Sequence, residues 1–161
     1  MSTTRRQLST VNCQPHSLID WSRCYYSPHH LSAPVTPQKA VMITKEDLNE
    51  FFLTHRAAHQ AGESNFDIDG VCRWSYFFSD TEKSNLTRIG LHLEDNGYQI
   101  RGFLGAAEED IDPNTLYLRA DRVERHTVDS LHETNEAFYV LVEKMGVAGY
   151  DGMDVGAMGS V

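Results

Sequence analysis

The chain has 161 residues, of which 40% are hydrophobic and 23% are charged, a composition typical of one globular domain. This composition excludes collagen-like, coiled-coil and wholly disordered proteins. Fourteen Lys+Arg against 23 Asp+Glu give a formal net charge of −9, which disfavours broad affinity for nucleic acid.

The first 40 residues differ in composition from the rest of the chain. Four basic residues and a single acid give residues 1–40 a charge of +3, which leaves −12 for residues 41–161. Pro28, Pro34 and Pro37 interrupt any periodic pattern. We therefore expect an irregular N-terminal arm over residues 1–40, followed by an acidic folded body.

Cysteine number and hydropathy bear on the compartment. Cys13, Cys24 and Cys72 make an odd number without CxxC spacing, which supports neither a disulfide framework nor a zinc ribbon. No segment approaches the roughly 18 apolar residues of a membrane span. These features favour a cytoplasmic protein with no membrane partner and no cofactor.

A helix is predicted within residues 41–62. Thr44 is a good N-cap and Asp47 lies three residues later, which is the spacing of a capping box, and Gly62 ends the pattern. Its apolar stripe consists of Leu48, Phe51 and Phe52.

From Phe66 to Phe78 apolar residues recur at every second position, which predicts a long strand. A second helix is predicted over about 80–96, with Ser79 and Glu82 as a capping box. Strands are predicted over 98–104 and 116–121, on either side of an acidic loop.

A third helix is predicted to begin after the N-cap Thr127 and to end at Gly146, and a last strand is predicted over 150–155. Two successive strand-helix-strand units form a four-stranded antiparallel sheet with both helices on one face. The predicted fold is therefore α+β, a ferredoxin-like sandwich over residues 63–157, with an extra N-terminal helix.

The predicted strands place arginine and aromatic side chains on the sheet face away from the two helices of the sandwich. Such residues stack bases and neutralise phosphates, so this face is a candidate single-stranded RNA site. We expect instead that the first helix covers it, because the stripe of that helix needs an apolar partner. If the first helix leaves this face bare, RNA binding becomes the first hypothesis and a protein-binding regulator the second. The candidate residues are Arg73, Phe77, Arg101, Phe103, Tyr117 and Arg119.

Metal and catalytic motifs are weak. His55 and His59 are four residues apart, but the glutamate of the zinc-protease pattern is absent between them. Asn65, Asp67 and Asp69 begin a calcium-loop pattern that lacks its closing glutamate. We therefore predict no metal, no catalytic residue and no enzyme activity.

Two segments are candidates for contact with a protein partner. The first is the acidic loop with Glu108, Glu109, Asp110 and Asp112. The second is the closing segment, which combines aromatic, acidic and apolar residues: Tyr150, Asp151, Met153 and Asp154.

Residues 63–157 resemble the regulator of ribonuclease activity B family, also called ribonuclease E inhibitors. The resemblance rests on Asn96-Gly97-Tyr98, on the helix ending at Gly146 and on Tyr150-Asp151-Gly152. Family members typically continue with Trp-Gly, where this chain has Met153 and Asp154. The resemblance implies a small acidic bacterial protein of the cytoplasm that binds endoribonuclease E and changes its activity in RNA metabolism, without catalysis of its own.

Overall fold

The computed structural model describes residues 42–106, 108, 110 and 112–159. The arm predicted for residues 1–40 lies outside the described residues. The helices are α1 (Lys45–Gln60), α2 (Lys83–Asp95) and α3 (Val128–Met145). The strands are β1 (Cys72–Asp80), β2 (Gln99–Gly105), β3 (Leu116–Glu124) and β4 (Gly149–Gly156).

The four strands form one antiparallel sheet in the order β2-β3-β1-β4. Strand β1 is central and pairs along its length with β3, from Cys72 opposite Glu124 to Asp80 opposite Leu116. Its even-numbered residues Trp74, Tyr76 and Phe78 are fully buried and face the helices. The expected α+β class and the antiparallel four-stranded sheet are therefore present.

Local sequence determines the ends of α1 and α3. Thr44 Oγ1 accepts a hydrogen bond from the Asp47 amide, and Asp47 Oδ2 accepts one from the Thr44 amide at 2.8 Å. At α3, Thr127 and Ser130 make the equivalent pair of bonds. Gly146 ends α3 with φ = 65°, a left-handed conformation that glycine adopts without a steric penalty. The predicted caps at these ends are confirmed.

The start of α2 differs from the prediction. The helix has no side-chain cap, so the Ser79–Glu82 capping box is wrong. The buried Asp80 accepts from the Glu82 amide at 2.8 Å and from the Ala148 amide at 3.0 Å. A carboxylate at the end of β1 thus organises both the entry to α2 and the turn before β4.

Strand β1 begins at Cys72 rather than Phe66, because a turn precedes it. The Gly70 amide donates to the Asp67 carbonyl at 3.0 Å, and the Asp69 amide donates to Asp67 Oδ1 at the same distance. Ile68 is nevertheless fully buried, as its apolar character indicated. The alternation of residues 66–71 reflects burial of this loop, not pairing in the sheet.

Helix α1 packs beside α3, on the same side of the sheet as α2 and α3. The Phe52 ring stacks on Trp74 with 6.1 Å between centroids, and Lys45 Nζ lies 2.9 Å from Asp129 Oδ1 at the start of α3. The expectation that α1 covers the other face is wrong. Phe138 of α3 contacts Tyr76 and Phe78. Trp74 is covered instead by the apolar stripe of α1, through Phe51.

Candidate functional site

The sheet face opposite the three helices, here called the distal face, contains several of the polar residues singled out in the sequence. Neighbouring residues on this face come from all four strands. They are Arg101 of β2, Tyr117, Arg119 and Asp121 of β3, Arg73, Ser75, Phe77 and Ser79 of β1, and Asp151 and Asp154 of β4.

Three arginines converge on one carboxylate at the centre of this face. Asp121 is only 2% exposed, and its two oxygens accept from Arg101 Nε at 2.9 Å and from Arg119 Nε at 2.8 Å. Arg73 Nε lies 3.9 Å from the same carboxylate. We call these four residues the arginine–aspartate cluster. Asp121 was not singled out from the sequence, because its partners Arg73 and Arg101 lie on other strands; Arg119, two residues earlier on the same strand, is the only local signal.

The cluster keeps Asp121 ionised. Burial by itself raises the pKa of this carboxyl, but the hydrogen bonds and positive charge of Arg119 and the hydrogen bond from Arg101 outweigh burial. The pKa of Asp121 therefore lies below its usual range. A buried carboxylate among cations is a structural centre of the face, and it neutralises part of the positive charge that an anionic ligand would meet.

The candidate RNA residues do not all share the distal face. Phe77 and Tyr117 lie on it beside the arginines, but Phe103 faces the helices, with Lys83 Nζ 4.8 Å from its ring centroid. The reason is a bulge in β2, where Gly102 has φ = 123° and the register against β3 shifts by one residue. The sequence alternation was therefore wrong for Phe103.

Acidic side chains lie at the other end of the distal face. The Tyr117 hydroxyl donates to Asp110 Oδ1 at 2.9 Å. Burial raises the pKa of Tyr117, and the carboxylates of Asp110 and Asp151 raise it further. Asp151 as a whole residue is exposed, but its carboxyl is partly desolvated, which raises its pKa. The negative charge of Asp110 raises the pKa of Asp151 further. Asp110 of the predicted acidic loop thus contacts Tyr117, while Asp151 of the closing strand affects Tyr117 through its charge.

Two further acids of this loop, Glu108 and Asp112, are among the described residues. Glu108 and Asp112 are exposed, and Asp112 Oδ1 accepts from the Asn114 amide at 2.8 Å, which shapes the turn. Glu109 lies outside the described residues.

Two of the candidate contact residues in β4 are buried on the helix side. Tyr150 is 3% exposed and donates to Asn135 Oδ1 at 2.6 Å, while Met153 is 5% exposed and its sulfur lies 3.8 Å from Asn135 Nδ2. Asp154 is on the distal face, where burial raises its pKa while Arg73 lowers it. Tyr150 and Met153 therefore contribute to the core in this structure, and Asp151 and Asp154 to the surface.

A buried polar network that no sequence motif indicated joins β1, β3 and the start of α3. The Tyr76 hydroxyl donates to Glu124 Oε1 at 2.9 Å and lies 3.0 Å from His126 Nε2. His126 Nδ1 is 2.9 Å from Ser130 Oγ, so Ser130, His126 and Glu124 follow one another as in a hydrolase triad. However, Ser130 Oγ already accepts from the Thr127 amide in the capping box, and His126 is only 6% exposed. These contacts stabilise the start of α3 and do not present a nucleophile to solvent.

No group of three metal-ligating side chains occurs within the described residues. The ring of His55 contacts Phe51, with 4.2 Å between centroids, and His55 Nδ1 lies 2.9 Å from the Phe51 carbonyl. Among these residues, no helix is long and apolar enough to cross a membrane.

Two depressions lie beside α2. One of about 140 Å³ lies between α2 and the edge strand β2, and its lining is mainly apolar. Another of about 430 Å³ lies between α2 and α3, with Tyr98 and Arg122 in its wall. The guanidinium of Arg122 stacks over the Tyr98 ring at 5.0 Å from its centroid.

Comparison with known proteins identifies the family. None of the curated proteins matches the chain at a significant level. The family model for regulator of ribonuclease activity B matches residues 54–155, which run from within α1 almost to the end of β4. The matched region includes more than half of the chain and all of the sheet except the last residue of β4, and the chain therefore belongs to the regulator of ribonuclease activity B family.

Proposed function

We propose that this chain is a non-catalytic regulator that binds ribonuclease E and modulates its activity in RNA decay in the bacterial cytoplasm. Membership of a family of ribonuclease regulators supports the proposal. The identity of the partner, ribonuclease E, comes from the family resemblance. The acidic end of the distal face is the structural feature that carries the proposal.

We assign residues 63–157 to a ferredoxin-like domain, to which residues 1–40 and the α1 region are additions. The strand order β2-β3-β1-β4, with α2 connecting β1 to β2 and α3 connecting β3 to β4, supports this assignment. In such a sandwich the helices cover one face, and the other is left for interactions.

The proposed contact surface is formed by Glu108, Asp110, Asp112 and Asp151. Asp110 Oδ1 accepts from the Tyr117 hydroxyl at 2.9 Å, and the negative charge of Asp110 contributes to the raised pKa of Asp151. Like charges held together produce a local negative potential, which attracts a basic partner and increases its association rate. A segment rich in arginine fits this potential. We keep Tyr150 and Met153 as supports of β4 rather than as contacts, because both are buried.

The proposal is tested with purified full-length chain and purified ribonuclease E. We measure binding and the rate of RNA cleavage for the double variant Asp110→Asn with Asp112→Asn. Asparagine keeps the oxygen that accepts from Tyr117 while removing the charge. We expect binding to weaken by roughly tenfold at low salt, and the difference from the unmodified chain to shrink as salt rises.

The matched control removes two charges elsewhere, by Glu133→Gln with Glu143→Gln on exposed positions of α3. Its binding should stay close to that of the unmodified chain. Equal weakening in both double variants would show that net charge alone matters and would refute the acidic end as the contact. Absence of any complex with ribonuclease E would refute the proposed function itself.

A second candidate function is binding of single-stranded RNA on the distal face. It is favoured because α1 does not cover this face and because three arginine guanidinium groups lie on it. Two features oppose it: Asp121 occupies the Nε donors of Arg101 and Arg119, and Phe103 faces the helices. A mobility shift with a single-stranded oligonucleotide at low salt distinguishes the candidates, because the electrostatic part of RNA binding is largest there. An unshifted oligonucleotide removes this second candidate.

A further inference from the structure

The edge of the sheet at β2 combines three features of a peptide-binding site, namely an unpaired strand edge, an apolar groove and acidic residues nearby. Within the described part of the chain, β2 pairs with β3 and has no partner on its other side. An edge strand with open backbone N–H and C=O groups is a template for another extended chain. Most residues of β2 are exposed, which leaves this edge accessible.

The opposite edge of the sheet is less suited to strand addition. Strand β4 has its own bulge, where the register against β1 shifts between Phe77 and Phe78. The Ile43 side chain, just before α1, lies 3.4 Å from where a Cβ on Gly152 would stand. Both edge strands contain a bulge, so the covering side chain of Ile43 is what distinguishes the β4 edge from the β2 edge.

An apolar groove runs beside the β2 edge. It has a volume of about 140 Å³ between α2 and β2. For comparison, engineered apolar cavities of about 150 Å³ hold a benzene ring. Leu91 on the α2 side is 60% exposed and Phe103 on the β2 side is 38% exposed. The lack of a side chain at Gly90, whose Cβ would stand 3.4 Å from Leu118, helps to open the groove.

The other side of the same edge is also apolar. The bulge at Gly102 that turns Phe103 toward α2 leaves Leu104 opposite Tyr117, and Leu104 is 47% exposed. Successive side chains of an added strand point to opposite faces. One set would therefore contact Phe103 and Leu91, and the other set would contact Leu104.

Charge determines which chain fits this edge. Residues 89–115 contain six acidic residues and one arginine, and that arginine, Arg101, is paired with Asp121. Glu94 lies in the wall of the groove itself. Pairing of β2 with β2 of a second copy would bring two such acidic segments together, at an electrostatic cost. A basic segment would be attracted instead.

We propose that an extended segment of the partner, with basic residues beside aliphatic ones, adds to β2 as a fifth strand and inserts one apolar side chain between α2 and β2. This inference rests on the proposed function and specifies the surface that the partner uses. The backbone of β2 provides affinity, the groove selects an aliphatic or aromatic side chain, and the acids of residues 94–112 select positive charge.

The test compares two leucine-to-glutamate variants of the full chain with purified ribonuclease E. Leu91→Glu places a charge in the groove, whereas Leu53→Glu makes the same change on α1, where Leu53 is 63% exposed. We expect Leu91→Glu to weaken binding by about tenfold or more and Leu53→Glu by about twofold or less. Both leucines are well exposed. Urea midpoints of both variants that equal the midpoint of the unmodified chain establish that folding is retained.

Hydrogen exchange provides a second readout that a purely electrostatic contact would not change. On addition of ribonuclease E, the amides of β2 should exchange more slowly, because the open edge gains hydrogen bonds. A complex that forms without protection of β2 and without an effect of Leu91→Glu refutes the strand addition and leaves the proposed function intact. Absence of a complex refutes both. A free chain that is dimeric, and that Leu91→Glu makes monomeric, shows that a second copy occupies this edge and refutes a partner strand.

Discussion

Replacement of Asp121 by asparagine tests whether the arginine–aspartate cluster holds the sheet together. The change keeps the shape of the side chain but leaves Arg73, Arg101 and Arg119 without their shared anion. Removing one partner of a buried ion pair costs roughly 3–5 kcal/mol of stability. The arginine side chains retain 11%, 30% and 27% exposure, so water compensates part of this loss. We therefore expect Asp121→Asn to lower the free energy of unfolding by about 2–3 kcal/mol.

The measurement is equilibrium urea unfolding followed by tryptophan fluorescence, with Asp129→Asn as the matched control. Asp129 also pairs with a cation, Lys45, but its side chain is 75% exposed. The control should unfold at the same urea concentration as the unmodified chain, because exposed ion pairs add little to stability. Similar midpoints for Asp121→Asn and Asp129→Asn would refute the inference that burial makes this cluster important.

The stability difference between the unmodified chain and Asp121→Asn should depend on pH in a definite direction. The folded state lowers the pKa of Asp121, so its stabilisation is complete above the unfolded-state pKa of about 4. It is lost as the pH falls through the lower pKa of the folded state. The stability difference between the unmodified chain and Asp121→Asn should therefore be constant near neutral pH and decrease below about pH 4. A difference that grows in acid would contradict this assignment.

Three further variants test the packing. Phe52→Ala should lower the free energy of unfolding by about 3–5 kcal/mol in urea titration, because Phe52 is fully buried against Trp74; a loss below about 1 kcal/mol would mean that α1 is not part of the core. Tyr150→Phe should lower stability by about 1–3 kcal/mol by leaving the buried Asn135 oxygen without its donor, while ribonuclease E binding by the folded variant stays unchanged; weakened binding at full stability would restore Tyr150 as a contact. Gly146→Ala should cost about 1 kcal/mol or more in thermal unfolding, because φ is 65° there, and an unchanged midpoint would argue against the left-handed end of α3.

Several parts of the fold follow from short stretches of sequence. The caps at Thr44 and Thr127 depend on residues three positions away, and the end of α3 depends on Gly146 alone. Such interactions form within one turn of helix, so a local pattern contains all the necessary information. The buried alternation of Trp74, Tyr76 and Phe78 is equally local, since one face of a strand repeats every second residue.

Local patterns therefore predict the order of the helices and strands, the acidic charge and the family motifs. The face of the sheet to which each element contributes depends on tertiary packing. The bulge at Gly102 shifts the register of β2 and places Phe103 on the helix side. Helix α1 packs against Trp74 and therefore does not lie on the distal face. Arg73, Arg101 and Arg119 meet at Asp121 because three separate strands align there. Register and packing depend on contacts between distant residues, and no periodic pattern within one segment contains them.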